Sequence, residues 1–289
     1  MATASRRRTE RHVRQWLRIH ATSERRLARA VAQFFRQQGA RILARLRGHG
    51  ITPVDVANAL DWHAENERFL RTVARPQLLS QMVTAASLGL LAFPHGKALR
   101  SLMQKAKKKK QPIMIPFDEL PERVQSSILD TLDETLEQPY WAHIQLENQL
   151  SIEGAIRDAL SDGIYGEAAL SKVIEEATDG EIPRNRAERI ARTETGGALN
   201  AGHMAAMEEL KQSGDITGTQ WLAIVDKDTR ETHRELNGTV VAVGEDFEVG
   251  DGHAPYPGYF GLPPEERINC RCTIIGSGMA EGREESEDV

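Results

Sequence analysis

Arg186-Ala187-Glu188-Arg189-Ile190-Ala191-Arg192-Thr193-Glu194-Thr195 opens the stretch, Asn185 to Ser213, on which the fold turns. At about 100° per residue, Ala187, Ile190, Ala191, Glu194, Ala198, Ala201 and Ala205 fall on one stripe, so the spacing predicts an amphipathic helix. Gly214 is placed to stop it. Glu194 stands in the middle of the apolar stripe, where an ionised carboxylate is costly to bury unless it is paired. Arg230 and Arg271 are the candidate partners. Two roles stay open for Glu194, a structural ion pair and a catalytic acid. Gly196-Gly197 and the small alanines leave room for another element to come close.

Beyond Gly218 the pattern changes from helical to extended. Gln220-Trp221-Leu222-Ala223-Ile224-Val225 and Thr239-Val240-Val241-Ala242-Val243 are apolar and β-branched, which predicts two strands, with Asn237-Gly238 as a turn signal between them. Asp226 to Leu236 reads as a loop with a short helical turn carrying Arg230 and His233. Gly250 to Pro264, rich in Gly, Pro and Tyr, predicts an ordered irregular loop, and Arg267 to Ile275 a third strand. Residues 277–289 are an acidic tail.

On such a strand Cys270 and Cys272 share a face, with Arg271 opposite. A disulfide between them would close a strained, small ring. The pair is able to supply two thiolates to zinc, with His233 and either His253 or Asp226 completing a tetrahedron. Two buried thiols in a β-core are the plainer alternative. Asp226, Arg230 and His233 also fit the acid, anion clamp and general base of a metal-dependent hydrolase or nuclease that uses the Asp226, His233, Cys270 and Cys272 cluster. No nucleophile elbow, phosphate-cradling glycine loop or paired-carboxylate motif accompanies them. A hydrogen-bonded scaffold that holds a loop accounts for the same residues.

Upstream, helical spacing dominates. Leu27, Val31, Phe34, Phe35, Ile42 and Leu46 follow it from Ser23 onward, with arginines on the opposite face and Gly48-His49-Gly50 as the stop. Thr52-Pro53-Val54-Asp55 reads as an N-cap, a first-turn proline and an acid. A long helix through Leu60, Phe69 and Val73 should then kink or break at Pro76 before Leu78 to Leu91 continues. Further helices are predicted from Glu122 through Leu136, over Ile144 to Leu160 and over Glu167 to Ala177. Met1 to Arg14 reads as a basic, frayed tail centred on Arg6, Arg7 and Arg8. Lys105 to Lys110, followed by Pro112 and Pro116, marks a linker. Lys107, Lys108, Lys109 and Lys110, like Arg6 to Arg8, are either solvated charge or candidate phosphate contacts.

The whole chain therefore reads as α+β, with mostly helical N-terminal and middle regions and a small β-rich C-terminal module. The boundaries expected are a basic helical region at 1–110, a helical middle region at 111–184, an α+β module at 185–276 and the tail at 277–289. With 289 residues, 40% of them hydrophobic and 27% charged, the chain suits a helix-rich protein of two or three domains. No apolar run approaches the ~18 to 20 residues of a membrane span. The basic N-terminus lacks the apolar core of a secretory signal, which makes the cytoplasm the default. Two cysteines one residue apart build no disulfide framework, as expected in a reducing compartment. The net charge of -5 hides a polarity: residues 1–110 carry 23 Lys and Arg against 6 Asp and Glu, a net +17, and the remainder carries 14 against 36, a net -22. Such asymmetry points the basic part at nucleic acid or an acidic protein surface.

Taken in order, the Arg186 to Thr195 run with Arg189, Arg192 and Glu194, then Trp221 with Asp226, Thr229-Arg230 with His233, Leu236-Asn237-Gly238, and Ile268-Asn269-Cys270-Arg271-Cys272 resemble the Mu F-like minor head protein family of tailed phages, also called the phage head morphogenesis family. The resemblance covers about residues 150 to 275, and the order of the motifs is more specific than any one of them. It implies a minor structural protein of the virion head interior, present in the host cytoplasm during assembly. The implied partners are portal and major capsid protein, with double-stranded DNA for a role in packaging or delivery. The Arg6 to Arg8 and Lys107 to Lys110 groups are then candidate contacts to DNA or portal. The family's module also occurs fused to toxin domains, for which the sequence after Cys272 is too short.

Overall fold

A computed structural model describes residues 2–47, 51–93 and 114–278, with side chains from Thr9 onward. Helices α1 (Ala2–Leu46), α2 (Pro53–Ala59), α3 (Trp62–Phe69), α4 (Arg75–Leu91), α5 (Glu122–Leu136), α6 (Tyr140–Ser161), α7 (Glu167–Asp179) and α8 (Glu181–Gln212) precede a region of short strands and turns. The protein is α+β and mostly helical, with its small antiparallel sheets near the C-terminus. Its contacts gather into two units, neither continuous in sequence. One comprises Ser23–Gln77 and Glu134–Ala191; the other comprises Met1–Thr22, Leu78–Asp133 and Arg192–Val289.

The first unit is all helical. Thr52 Oγ1 accepts from the Asp55 amide at 3.2 Å while Asp55 Oδ2 accepts from the Thr52 amide at 2.9 Å, a reciprocal cap that starts α2 as the sequence predicts. The long helix expected to follow is broken earlier than Pro76. Leu60 is extended at φ -125°, and Asp61 Oδ1 accepts from the Ala64 amide at 3.0 Å to start α3. Pro76, by contrast, lies inside α4. A π-helical turn over Leu70–Ala74 widens the backbone just before it, so the ring is accommodated where a regular helix would clash. Ile42, Leu46, Val56 and Leu60 pack with Ile152 and Ile156 of α6 and Leu170 and Ile174 of α7. A buried amide chain crosses this core: Gln38 Nε2 donates to Gln145 Oε1 at 2.8 Å, and Asn148 Nδ2 donates to Gln38 Oε1 at 2.6 Å.

In the second unit, the chain from Arg192 onward along α8 is the central rod. Gly202 carries no Cβ where one would lie 2.0 Å from the Met82 carbonyl oxygen of α4, so the two helices meet at backbone distance. Strands β1 (Gly218–Leu222), β2 (Val240–Ala242) and β5 (Thr273–Ser277) form an antiparallel sheet in the order β2-β1-β5, with Trp221 opposite Ile274. Part of the loop expected over Gly250 to Pro264 is instead the second strand of a hairpin, β3 (Phe247–Val249) with β4 (Gly252–Ala254). The N-terminal residues expected to fray are helical from Ala2, and Trp16 of the same helix packs with Ala85 and Leu199.

Buried His203 on α8 stacks 5.2 Å from His12 and 5.5 Å from Trp16. Burial, aided by His12, lowers its pKa to about 3. An unfolded chain takes up this proton near pH 6.5, so the unit's stability should be complete above that pH and fall towards pH 3, at up to about 1.4 kcal/mol per pH unit. Urea midpoints of wild type and His203→Gln, compared at pH 7 and 4.5, check this. The wild type should lose more on acidification, and equal losses would clear His203.

Candidate functional site

Nearly every residue from Glu266 to Cys272 is held by a partner distant in sequence. This segment leaves α10 (Pro264–Arg267) and runs to β5, with a left-handed residue at Asn269, φ 62°, a conformation asparagine tolerates better than most. Arg267 Nη2 donates to both carboxylate oxygens of Glu194 at 2.7 Å, in buried surroundings. The Asn269 amide donates to Thr193 Oγ1 at 3.1 Å, and Arg230 Nη2 donates to the Ile268 carbonyl at 2.6 Å. Trp16 Nε1 donates to the Arg271 carbonyl at 3.0 Å, while Asn200 Nδ2 donates to the Cys272 and Pro257 carbonyls at 2.9 Å each. Gly196 permits this arrangement, since a Cβ there would lie 2.8 Å from the Cys270 carbonyl oxygen. The close approach expected at Gly196-Gly197 is thus made by this segment and, at Gly197, by Gly258.

Alternation along the segment sorts its side chains. Cys270 and Cys272 both reach His233 on α9 (Glu231–Glu235): their sulfurs lie 3.6 and 3.5 Å from His233 Nδ1. His233 Nε2 lies 3.0 Å from Glu266 Oε2, off the line of a good hydrogen bond, and that same oxygen accepts from Thr232 Oγ1 at 2.9 Å. Both cysteines are free thiols. The hydrogen bond between the thiols, with burial, pushes Cys270 well up, while that bond and His233 hold Cys272 down to about 5.

Arg271 turns the other way and pairs with half-exposed Asp226. That hydrogen bond, more than the Asp228 amide and Thr229 hydroxyl, holds the Asp226 carboxyl below the ordinary carboxylate range. The Asp226 carbonyl accepts from Arg234 Nη2 at 2.6 Å, and Thr229 Oγ1 bridges back to the Ile224 carbonyl. Asp226 to Thr229 is therefore a self-bonded turn fastened by two arginines. Gly238, at φ 93°, passes its amide to the Trp221 carbonyl at 2.8 Å, and Asn237 Oδ1 accepts from the Ala223 amide at 3.0 Å.

Some expected pairings differ. Glu194 pairs with Arg267 rather than with Arg230 or Arg271: α10 delivers the Arg267 side chain onto α8, whereas Arg271 faces Asp226 and Arg230 spans to a carbonyl. Cys270 and Cys272 precede the strand expected to carry them, since β5 starts at Thr273. His253 is exposed on β4 opposite Glu248, and the ligand group found among the described residues is His233, Cys270 and Cys272, without His253 or Asp226. Arg192 is half-buried and Arg189 exposed on α8. Side chains of Arg6, Arg7 and Arg8, residues Lys107 to Lys110, the Gly48 to Gly50 stop and the tail from residue 279 lie outside the described residues. Glu266, Arg267, Asn200 and Trp16 have no site role in the sequence reading, and Thr193 stands there only within the Arg186 to Thr195 run. A usable signal existed for Arg267 alone: an acid on an apolar stripe asks for a cation, and Arg267 immediately precedes the Ile268 to Cys272 motif.

Residues 151–275 match the family model described as Phage Mu protein F like protein. The chain is 40% identical over 108 residues to NAD(+)--arginine ADP-ribosyltransferase EFV of Enterococcus faecalis, covering 37% of this chain and 22% of that protein. It is 32% identical over 91 residues to Minor head protein GP7 of Bacillus phage SPP1, covering 31% of this chain and 29% of that protein. With uncharacterized protein YqbB of Bacillus subtilis it shares 27% identity over 130 residues, 44% of this chain and 42% of the relative. In each case the chain spans less than half the relative's length. No solved structure matches. Among the described residues no helix is long and apolar enough to cross a membrane.

Proposed function

We propose that this chain, which carries a Mu F-like segment over residues 151–275, is a minor structural protein of a tailed-phage head, acting in head morphogenesis. The observation that carries this reading is the use to which the motif residues are put. Glu194, His233, Cys270 and Cys272 are 4%, 1%, 4% and 3% exposed; Glu194 is paired with Arg267, and both cysteine sulfurs face His233. A catalytic group has to reach its substrate; a rigid body that docks on a partner does not. The relative named as a minor head protein supports the same reading. The relative named as a transferase aligns over 22% of its length, so its name transfers no activity to this segment.

The net +17 of residues 1–110 supports contact of this basic part of the chain with packaged double-stranded DNA or an acidic portal or capsid surface. The protein belongs, on this reading, in the head interior, after assembly in the host cytoplasm. Purified virions of the parent phage, probed with an antibody to the protein and cross-linked, should contain it in few copies joined to portal. Its absence from virions would overturn the assignment, and a metal-dependent phosphodiesterase activity in the purified chain would favour the hydrolase instead. Full-length protein should also bind duplex DNA with an affinity that falls steeply from low to physiological salt. Replacing Lys107 to Lys110 by glutamine should flatten that dependence. A salt-independent or undetectable interaction would leave portal or capsid as the basic part's partner.

A further inference from the structure

We propose that His233 Nδ1, Cys270 Sγ and Cys272 Sγ bind one zinc ion that ties α9 to the segment entering β5. The three donor atoms lie within 4.8 Å of one another, and the two sulfur-to-nitrogen distances are 3.5 and 3.6 Å. Tetrahedral zinc with Zn–S of about 2.3 Å and Zn–N of about 2.0 to 2.1 Å separates adjacent sulfur and nitrogen ligands by about 3.6 Å. Both sulfur-to-nitrogen separations thus already match edges of one coordination polyhedron. One ion at the common centre would satisfy all three atoms at once. Two thiolates and an imidazole are the donors zinc prefers, and two thiolates cancel its charge in a buried place.

The surroundings of His233 are those of a metal ligand. Glu266 Oε2 stands 3.0 Å from Nε2; it is out of line for a hydrogen bond, but its negative charge favours the tautomer with the proton on Nε2 and the Nδ1 lone pair turned to the sulfurs. Thr232 Oγ1 fixes that same carboxylate oxygen. Trp221 packs edge-on 5.5 Å from the imidazole and closes the far side. Neither sequence-derived candidate for a fourth ligand is at hand, because Asp226 is engaged by Arg271 and His253 is exposed on its hairpin. The ion's role is structural, joining two pieces of chain 37 and 39 residues apart.

The test uses the full chain, expressed with zinc in the medium and purified without chelator. Elemental analysis should find about one zinc per chain, and exchange for cobalt should produce the intense near-ultraviolet thiolate-to-cobalt absorption of a tetrahedral site. Cys270→Ser and Cys272→Ser should each abolish both signals. Should either variant fail to fold, Glu266→Gln serves instead: both thiols remain, and zinc affinity, measured against a competing chelator, should weaken about 10- to 100-fold. A metal-free wild type that takes up neither zinc nor cobalt, and whose melting temperature added zinc leaves unchanged, would overturn the proposal and leave a hydrogen-bonded thiol cluster. Unchanged zinc affinity in Glu266→Gln would overturn the role given to that carboxylate.

Discussion

Glu194→Ala is expected to destabilise the unit that contains it by roughly 3 to 5 kcal/mol, because it breaks a buried ion pair by removing the carboxylate to whose two oxygens the Arg267 guanidinium donates. The size of the effect comes less from the attraction lost than from a cation left in surroundings that solvate it poorly. Two companion changes separate these contributions. Glu194→Gln keeps an acceptor and should cost less than alanine, and the double change Glu194→Met with Arg267→Met, which removes both charges, should come much closer to wild type. Urea unfolding of the four proteins measures all of this. A Glu194→Ala protein within about 1 kcal/mol of wild type would refute the structural role. Normal stability combined with loss of an enzymatic activity would move Glu194 to the catalytic alternative.

Trp221→Ala should cost a similar amount, roughly 3 to 5 kcal/mol. The indole is fully buried, edge-to-face with His233 at 5.5 Å and with Phe247 at 5.2 Å. Its removal opens a cavity between β1 and the β3–β4 hairpin, beside the cysteine cluster. Trp221→Phe should lose clearly less, since it keeps an aromatic ring there and removes an indole N–H that has no hydrogen-bond partner among the described residues. Thermal and urea unfolding of both variants decide the matter. Equal losses for phenylalanine and alanine would mean that the site needs the indole itself rather than a filled volume.

The helices were largely legible because their signals are local. Thr52 with Asp55 announces a capped start, and observed α6 and α7 run within a few residues of the expected spans. The break at Leu60-Asp61 was less visible, since Asp61 acts as a cap only once Leu60 has turned extended. Pro76 misled in the opposite direction: a prolyl ring breaks a regular α-turn, but a π turn just before it supplies the room.

For the site, side-chain alternation was enough to set Cys270 and Cys272 on one side and Arg271 on the other, and the structure keeps that division although the residues lie before β5 rather than in it. What alternation does not say is what stands on each side. In the linear chain His233 reads as the third ligand and His253 or Asp226 as the fourth; only the path of α9 brings His233 beneath the sulfurs, while the hairpin holds His253 in solvent.

By itself, the sequence determined that this is a mostly helical α+β chain, that the helix after Asn185 buries a carboxylate needing a cation, and that the charged and thiol residues between Arg186 and Cys272 form an ordered set. Those properties follow from helical and extended periodicity and from the cost of burying charge, which act within a few residues or on one residue at a time. Only the tertiary structure decided that Arg267 is the cation, that His233 and Glu266 stand behind the thiols, and that each contact unit is assembled from separated stretches. Partner choice depends on where α10, the left-handed turn at Asn269 and the backbone contact at Gly196 carry the chain, and such long-range paths leave no periodic trace in the sequence.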